Sequence, residues 1–519
     1  MTSDSDFEDD FMVDSDDNMD SDFASSLSVS DNEVDDMAFD GAFAEKHDRK
    51  AYEVEFSVQS VQNLMSSQEK EIQQVTTILG LQSKDAATLL RYFRWNKEKL
   101  FERYMDAPDK VLRSAGVFNN NDPNHHTILL AKQLPKEKQP FMCEICCDDD
   151  LDLETVSVAC EHRFCKTCYQ HYLKQKIFEG ESRRIECPQD KCNVIVDENT
   201  VQLIVDEKTN GRYRELLNRT FVDDNDYLRW CPAPDCEYAV ECHIPSTSLT
   251  SIVPTVRCTC GDTFCFGCGL FDHQPAICSI VKKWLQKCED DSETANWISA
   301  HTKECPKCHS TIEKNGGCNH MTCRKCRHEF CWVCMGPWSE HGTSWYNCNR
   351  FDERSSSEAR ENQTQSRLSL ERYLHYYNRY ANHEQSAKLD QDLYQKTEKK
   401  MEDMQQTSNL SWIEVQFLKK AVDITVQCRM TLKWTYAFAF YLARTNETAI
   451  FEDNQRDLEM ATEQLSELLE KPLEKEKIAQ LRQAVLDKTV YVKHRREILL
   501  EDTAKGLLEG RWSFIVDVK

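Results

Sequence analysis

Cys143-Glu144-Ile145-Cys146, Cys160-Glu161-His162-Arg163-Phe164-Cys165-Lys166-Thr167-Cys168 and Cys187-Pro188-Gln189-Asp190-Lys191-Cys192 decide how the middle of this chain folds. Zinc takes four Cys or His ligands in tetrahedral geometry, and ligands two to four residues apart form a knuckle that supplies half a site. The eight ligands here serve two ions. A second set of eight follows: Cys231, Cys236, Cys258, Cys260, Cys265, Cys268, His273 and Cys278. Sequential pairing is expected, with the first four on one ion and the last four on another. A third set offers ten candidates for eight places: Cys305, Cys308, Cys318, His320, Cys323, Cys326, Cys331, Cys334, His341 and Cys348. Knuckle geometry pairs Cys305 with Cys308, Cys323 with Cys326, and Cys331 with Cys334, and His341 with Cys348 closes the last site. Cys318 and His320 are left over. Six ions then take 24 ligands, and the five cysteines outside them are Cys147, Cys242, Cys288, Cys318 and Cys428. The alternative, in which Cys318 and His320 form a ligand pair, would strand a Cys-x-x-Cys knuckle.

The 519 residues exceed what one core holds, so several domains are expected. Of 26 cysteines, all but Cys428 lie between Cys143 and Cys348. Met1 leads into acidic residues rather than an apolar signal, so a reducing compartment is expected, the cytoplasm with the nucleus as an alternative. In that setting clustered cysteines with interspersed histidines are metal sites. A net charge of −25 without basic-aromatic clusters argues against nucleic acid as a partner. Trp434–Ala443, the most apolar stretch, is too short to cross a membrane and is expected to be a buried helix.

Residues 1–40 hold 15 Asp or Glu and no Lys or Arg, so 1–50 is expected to be a disordered acidic tail. Across 51–115 three helices are expected. Ser67 would cap one through Ile72, Val75 and Ile78, and Ser83 another through Ala87, Leu89, Leu90 and Phe93. The third carries Leu100, Phe101 and Tyr104. This bundle resembles the ubiquitin-associated fold. The cysteine modules occupy 139–195, 211–278 and 301–350, with a helical linker at 279–300. Residues 351–519 are expected to be all α, with helices near 366–405, 409–445, 452–470 and 474–507. Ser411, with Glu414 three residues on, is the expected N-cap of the second. The fold class is thus multidomain: small zinc-stabilised modules between two helical regions.

Cys318 follows Gly316-Gly317 and lies between two halves of a zinc site. A catalytic cysteine acts as its thiolate. His320 can take a proton near neutral pH, from the thiol or from an incoming amine. The two glycines would let an extended peptide approach closely. Asn319 can donate to a tetrahedral oxyanion.

The first module has the RING spacing. The interleaved pairing of a RING puts Cys143, Cys146, Cys165 and Cys168 on one ion and Cys160, His162, Cys187 and Cys192 on the other. RING, in-between-RING module and a third module with Gly316-Gly317-Cys318-Asn319-His320 together resemble the RING-between-RING ubiquitin ligases. Trp412-Ile413-Glu414-Val415-Gln416-Phe417-Leu418, the acidic tail and the front helices resemble the Ariadne subfamily. The resemblance implies a relay. Ubiquitin passes from a conjugating enzyme on the RING to Cys318 as a thioester, then to a lysine of a protein substrate, with His320 as the catalytic histidine. It makes Ile145 the contact for the conjugating enzyme, and Trp345 an aromatic beside the active site or a core residue. It also implies autoinhibition by the C-terminal helices and relief by neddylated cullin-RING ligases. Asn193 stands after the last RING ligand, where RINGs that promote direct transfer usually carry Arg or Lys. The competing readings are a RING that only scaffolds direct transfer and a non-enzymatic zinc adaptor.

Overall fold

A computed structural model describes residues 49–117, 127–130, 141–150, 152–290, 302–314, 316–341, 348–350, 363–407, 412–471 and 478–518. The acidic tail lies outside them. A short strand, β1 (Ser57–Gln59), leads into four helices: α1 (Val61–Leu79), α2 (Ser83–Tyr92), α3 (Lys97–Asp106) and α4 (Pro108–Ala115). Three were expected. The fourth is opened by Pro108, whose fixed φ suits a first helical turn. Ser67 does not cap α1. The cap is Ser60, whose hydroxyl accepts from the Asn63 N–H at 3.3 Å, because the apolar stripe already begins with Leu64. Ser83 is likewise the first residue of α2 rather than its cap.

The RING contains β2 (Thr127–Leu130), β3 (Glu154–Ser157) and β4 (Arg163–Cys165) in one antiparallel sheet, followed by α5 (Lys166–Phe178). Its core gathers Val156, Phe164, Tyr169, Leu173, Ile177, Ile185, Val194 and Val196 and continues into the two helices that follow. A module of this size buries too little apolar surface to stand alone, which is why metal is needed. Next come α6 (Glu198–Ile204) and α7 (Glu207–Asp223). The front helices sit on α7. Trp95 meets Phe221 edge-on at 4.6 Å, and Gln68 donates to Asn218 at 2.7 Å.

The in-between module has strands β5 (Leu228–Trp230), β6 (Ala239–Glu241), β7 (Thr255–Arg257) and β8 (Thr263–Cys265). β1 adds to it as an edge, in the order β1-β6-β5. The linker helix, α8 (Cys278–Asp290), buries Trp284 completely against Tyr373, Tyr380 and Phe440, with ring centroids 5.3–5.8 Å away. The third module is two hairpins, β9 (Thr302–Glu304) with β10 (Thr311–Glu313) and β11 (His320–Thr322) with β12 (Glu329–Cys331).

Four long helices end the chain: α9 (Gln363–Thr407), α10 (Trp412–Tyr441), α11 (Asn446–Glu470) and α12 (Ile478–Leu508). Ser411 lies outside the described residues. Every side chain from Leu432 to Leu442 is buried, as a helix enclosed by α8, α9, α11 and α12 requires. The apolar stretch Trp434–Ala443 is thus core, and no described helix is long and apolar enough to cross a membrane. Lys50 pairs with Glu497 at 2.7 Å, and the Ala51 N–H donates to Glu501 at 2.7 Å. The strand-forming N-terminal arm therefore joins the front helices to α12.

Candidate active site and zinc centres

A tetrahedral ion with Zn–S bonds of about 2.3 Å sets its sulfurs about 3.8 Å apart. The thiols meet that requirement. Cys146 and Cys165 are 3.7 Å apart, Cys231 and Cys260 3.6 Å, Cys236 and Cys258 3.7 Å, and Cys308 and Cys323 3.6 Å. The groups formed are Cys143/Cys146/Cys165/Cys168, Cys160/His162/Cys187/Cys192, Cys231/Cys236/Cys258/Cys260, Cys265/Cys268/His273/Cys278 and Cys305/Cys308/Cys323/Cys326. Cys331, Cys334, His341 and Cys348 converge as a sixth. His273 shows how a histidine is aimed. Its Nδ1 faces the Ala276 carbonyl at 2.7 Å, which leaves Nε2 turned to Cys268 at 3.2 Å. The donor sets and spacings fit zinc, and zinc would supply the folding energy that the small cores lack.

The knuckles share a local device. The N–H of Cys147, Gly269, His309, Arg327 or Met335 bonds the carbonyl of the cysteine four residues earlier, at 2.7–2.9 Å. Each of these residues has positive φ, 56–77°. A left-handed non-glycine residue costs about 1–2 kcal/mol, so the turn is held by coordination. This gives the spare Cys147 a setting as the turn residue of a knuckle. Cys242 and Cys428 are buried apolar filler, and Cys288 packs half-buried against the helical core.

Cys318 stands outside every cluster and is 5 % exposed. The α9–α11 helices cover it. The Cys318 N–H donates to Glu470 at 3.2 Å, and its Sγ lies 3.8 Å from the Glu463 carbonyl. Asn319 gives its backbone N–H to one oxygen of the Glu463 carboxylate and its Nδ2 to the other, each at 2.6 Å. Behind Glu463 stands Arg429, fully buried, which donates to Glu463 at 2.9 Å and to Asp390 at 2.6 Å. The backbone of Gly316 and Gly317 runs against this clamp. A Cβ on Gly317 would fall within the Asp390 carboxyl group, and one on Gly316 within that of Glu470. The glycines thus let the loop approach α9 and α11.

Burial, and then the Glu463 carboxylate, push the Cys318 thiol far above its usual range. Burial pushes Glu463 up as well, but Arg429 and then Lys314 overcome it and hold the carboxyl below its usual range. The thiol is therefore both covered and kept protonated, while its cover stays charged. A cavity of about 180 Å³ remains between Trp338, His341, Asn349, Glu459, Met460 and Glu467. Polar contacts cross this face, from Cys318 and Asn319 to Glu463 and Glu470 and from Lys314 to Asn382 and Ser386.

The His320 ring does not reach the thiol; only its backbone N–H approaches Sγ, at 3.4 Å. The ring stacks on Trp338 at 4.4 Å, and its Nε2 lies 3.3 Å from Glu329. When Nε2 donates to Glu329, Nδ1 keeps a lone pair for a proton. Ile145, between the first two RING ligands, is 49 % exposed beside Met142 at 57 %, an apolar contact open to solvent. Trp345 lies outside the described residues, and Trp338 holds the aromatic place beside His320.

Five family models match the chain. They are the RING finger zinc finger of C3HC4 type (143–189), the IBR domain described as a half RING-finger domain (211–278), a second IBR domain (300–348), the Ariadne domain (371–501) and the UBA-like domain of the E3 ubiquitin-protein ligase ARIH1 (66–106). The E3 ubiquitin-protein ligase dbl4 of Schizosaccharomyces pombe is 58 % identical over 488 residues, 94 % of each chain. Human E3 ubiquitin-protein ligase ARIH1 is 45 % identical over 90 % of this chain and 82 % of its own. Drosophila melanogaster ariadne-1, also an E3 ubiquitin-protein ligase, is 44 % identical over 98 % and 99 %.

The chain belongs to the Ariadne family of RING-between-RING ubiquitin ligases.

As a family member it is a ubiquitin-protein transferase that binds zinc, with ubiquitin and a conjugating enzyme as partners. The Ariadne helices bring to Cys318 the residues that its own neighbourhood did not announce: Asp390, Arg429, Glu463 and Glu470. Each is a charged residue, and such residues are usually solvated. Trp338 carried a weak signal, as an aromatic three residues before a ligand.

The third module also ends against the Ariadne helices. Arg379 bonds the Cys348 carbonyl, and His375 Nε2 lies 3.0 Å from the Asn349 carbonyl. Burial, and then Arg379, lower the His375 imidazole to about 3. Above about pH 6.5 the ring is neutral in the folded and the unfolded chain alike. Below that the ring takes a proton once unfolding exposes it and the buried one does not, so the folded state loses stability as pH falls from about 6.5 toward 3. Melting at pH 6 should reveal a loss on the order of 1 kcal/mol relative to pH 7.5. His375→Asn should remove it; an equal loss in that variant would place the titration elsewhere.

Proposed function

We propose that this ligase carries ubiquitin on Cys318 as a thioester, and that its Ariadne helices hold that cysteine closed at rest. The RING, with Ile145 exposed between its ligands, receives the charged conjugating enzyme. The Cys318 thiolate attacks the thioester carbonyl, and the conjugating enzyme's thiol leaves with the proton. A substrate lysine then attacks the new thioester; its proton passes to His320, and Cys318 leaves as the thiolate. One observation carries the reading: of the five thiols outside the zinc groups, the one after Gly316-Gly317 is the one that Glu463 and Glu470 seal.

Asn193 supports the relay over direct transfer, since an amide does not supply the cationic clamp that closes a bound thioester. The family resemblance adds relief by a neddylated cullin-RING ligase through the front helices. Their seat on α7 and the arm from Lys50 to α12 give such a partner a mechanical route to the cover.

In single-turnover discharge of a charged conjugating enzyme, full-length Glu463→Ala should accept ubiquitin about tenfold faster than the parent. Hydrogen bonds to a charged group are worth roughly 1.5–3 kcal/mol, and 1.4 kcal/mol is about tenfold. A neddylated cullin-RING complex should accelerate the parent more than the variant. Equal rates for parent and variant, with Cys318 equally open to alkylation in both, would defeat closure by this face.

A further inference from the structure

The Asn319 side chain has one defined orientation. Its Oδ1 accepts from Lys314 at 2.9 Å and from Asn382 at 3.0 Å, so Nδ2 is the end turned to Glu463. With the backbone N–H it forms a two-donor notch, immediately after the nucleophile in sequence, that holds a carboxylate at 2.6 Å on both donors. The Cys318 N–H, beside it, holds a second carboxylate from Glu470. An N–H at the residue after the nucleophile is also where serine hydrolases draw an oxyanion donor. Lys314, buried with its ammonium group on Asn319, keeps the notch electropositive. Lys314 and Asn319 belong to the third module and stay with Cys318 when the helices leave; Arg429 goes with the helices.

We propose that the Asn319 N–H and Nδ2, with the Cys318 N–H, form the oxyanion pocket for both transfers, and that Glu463 is an internal carboxylate plug which occupies that pocket at rest. This rests on the reading of Cys318 as nucleophile and of the closed state as inactive. In the first transfer Sγ bonds the thioester carbon and the carbonyl electron pair moves to oxygen, forming the anion held by Asn319. Collapse of that anion breaks the bond to the conjugating enzyme's sulfur. In the second transfer the lysine nitrogen bonds the same carbon, the same oxygen takes the charge, and the bond to Cys318 breaks. The closed state is then a ground-state imitation of the charge distribution that the reaction creates. One carboxylate both blocks the pocket and suppresses the thiolate beside it.

The test separates plug from pocket in the full-length chain. Opening is read as the alkylation rate of Cys318 by peptide mass spectrometry; chemistry is read as single-turnover transfer to Cys318 and then to free lysine. In the Glu463→Ala background, Asn319→Ala should slow both transfers by roughly 10²-fold or more, the loss typical of one oxyanion donor. Alkylation and zinc content should remain those of the Glu463→Ala parent. Transfer within threefold of that parent in both steps would overturn the pocket. In the otherwise unaltered chain, Asn319→Asp should repel Glu463, so that Cys318 alkylates faster while ubiquitin transfer does not rise. A parallel rise in alkylation and transfer would also overturn it. If Glu463→Ala leaves alkylation at the wild-type rate, the plug fails with the closed-state reading beneath it, whereas the Asn319→Ala comparison still judges the pocket by itself.

Discussion

Cys318→Ser in the opened Glu463→Ala chain is expected to trap ubiquitin as an adduct that survives thiol reductants and breaks in alkali. The serine hydroxyl is a far weaker nucleophile than the thiolate, so loading is slow. Once formed, the oxyester discharges slowly too, because an alkoxide is a poorer leaving group than a thiolate. Turnover onto lysine should fall by roughly 10³-fold or more, the scale of losing a nucleophile. Cys318→Ala should show no adduct. Zinc per chain should be unchanged in both variants, since Cys318 lies in no cluster. Chain formation by Cys318→Ala at the parent rate would mean direct transfer from the RING. Loss of a metal equivalent would make Cys318 a ligand.

Arg429→Met is expected to open and destabilise the chain together. The guanidinium is fully buried between Asp390 and Glu463, whose side chains are 2 % and 5 % exposed. Removing it leaves the buried carboxylates of Asp390 and Glu463 with hydrogen bonds but without the cation between them, which costs about 3–5 kcal/mol. At roughly 2–4 °C per kcal/mol for a domain of this size, the melting temperature should drop on the order of 10 °C. Cys318 should become accessible to alkylation in the same variant, because Glu463 loses the partner that fixes its carboxylate on Asn319. Adding Asp390→Asn and Glu463→Gln should restore most of the stability without restoring closure, since the buried charges vanish but so does the strong bond to Asn319. A normal melting temperature with Cys318 still protected would show that another contact holds the face.

How far the sequence reached follows from the range of each interaction. The grouping of Cys231, Cys236, Cys258 and Cys260 follows from ligand order and tetrahedral geometry, whereas the left-handed turn at Cys147 shows only in the structure. The front module was misjudged at its start because a serine inside a helix and a serine capping it look alike. Ser60 wins over Ser67 because the buried face already includes Leu64. The fourth helix was missed because Pro108 reads as a breaker until its first-turn position is seen. His320 was legible as a candidate base, but the placing of its ring against Glu329 and Trp338 needs the β11–β12 hairpin and the 3₁₀ turn after it.

By itself the sequence determined the three zinc modules, the surplus thiol of the third module at Cys318 and the helical character of the regions on either side. Coordination number and helical period leave countable traces over a few residues. Only the tertiary structure shows that Cys318 is covered, by carboxylates more than 140 residues away. A charged residue carries no mark of whether it meets water or a buried partner. That is settled when α9, α10 and α11 bring Asp390, Arg429 and Glu463 against a loop whose glycines leave room for them.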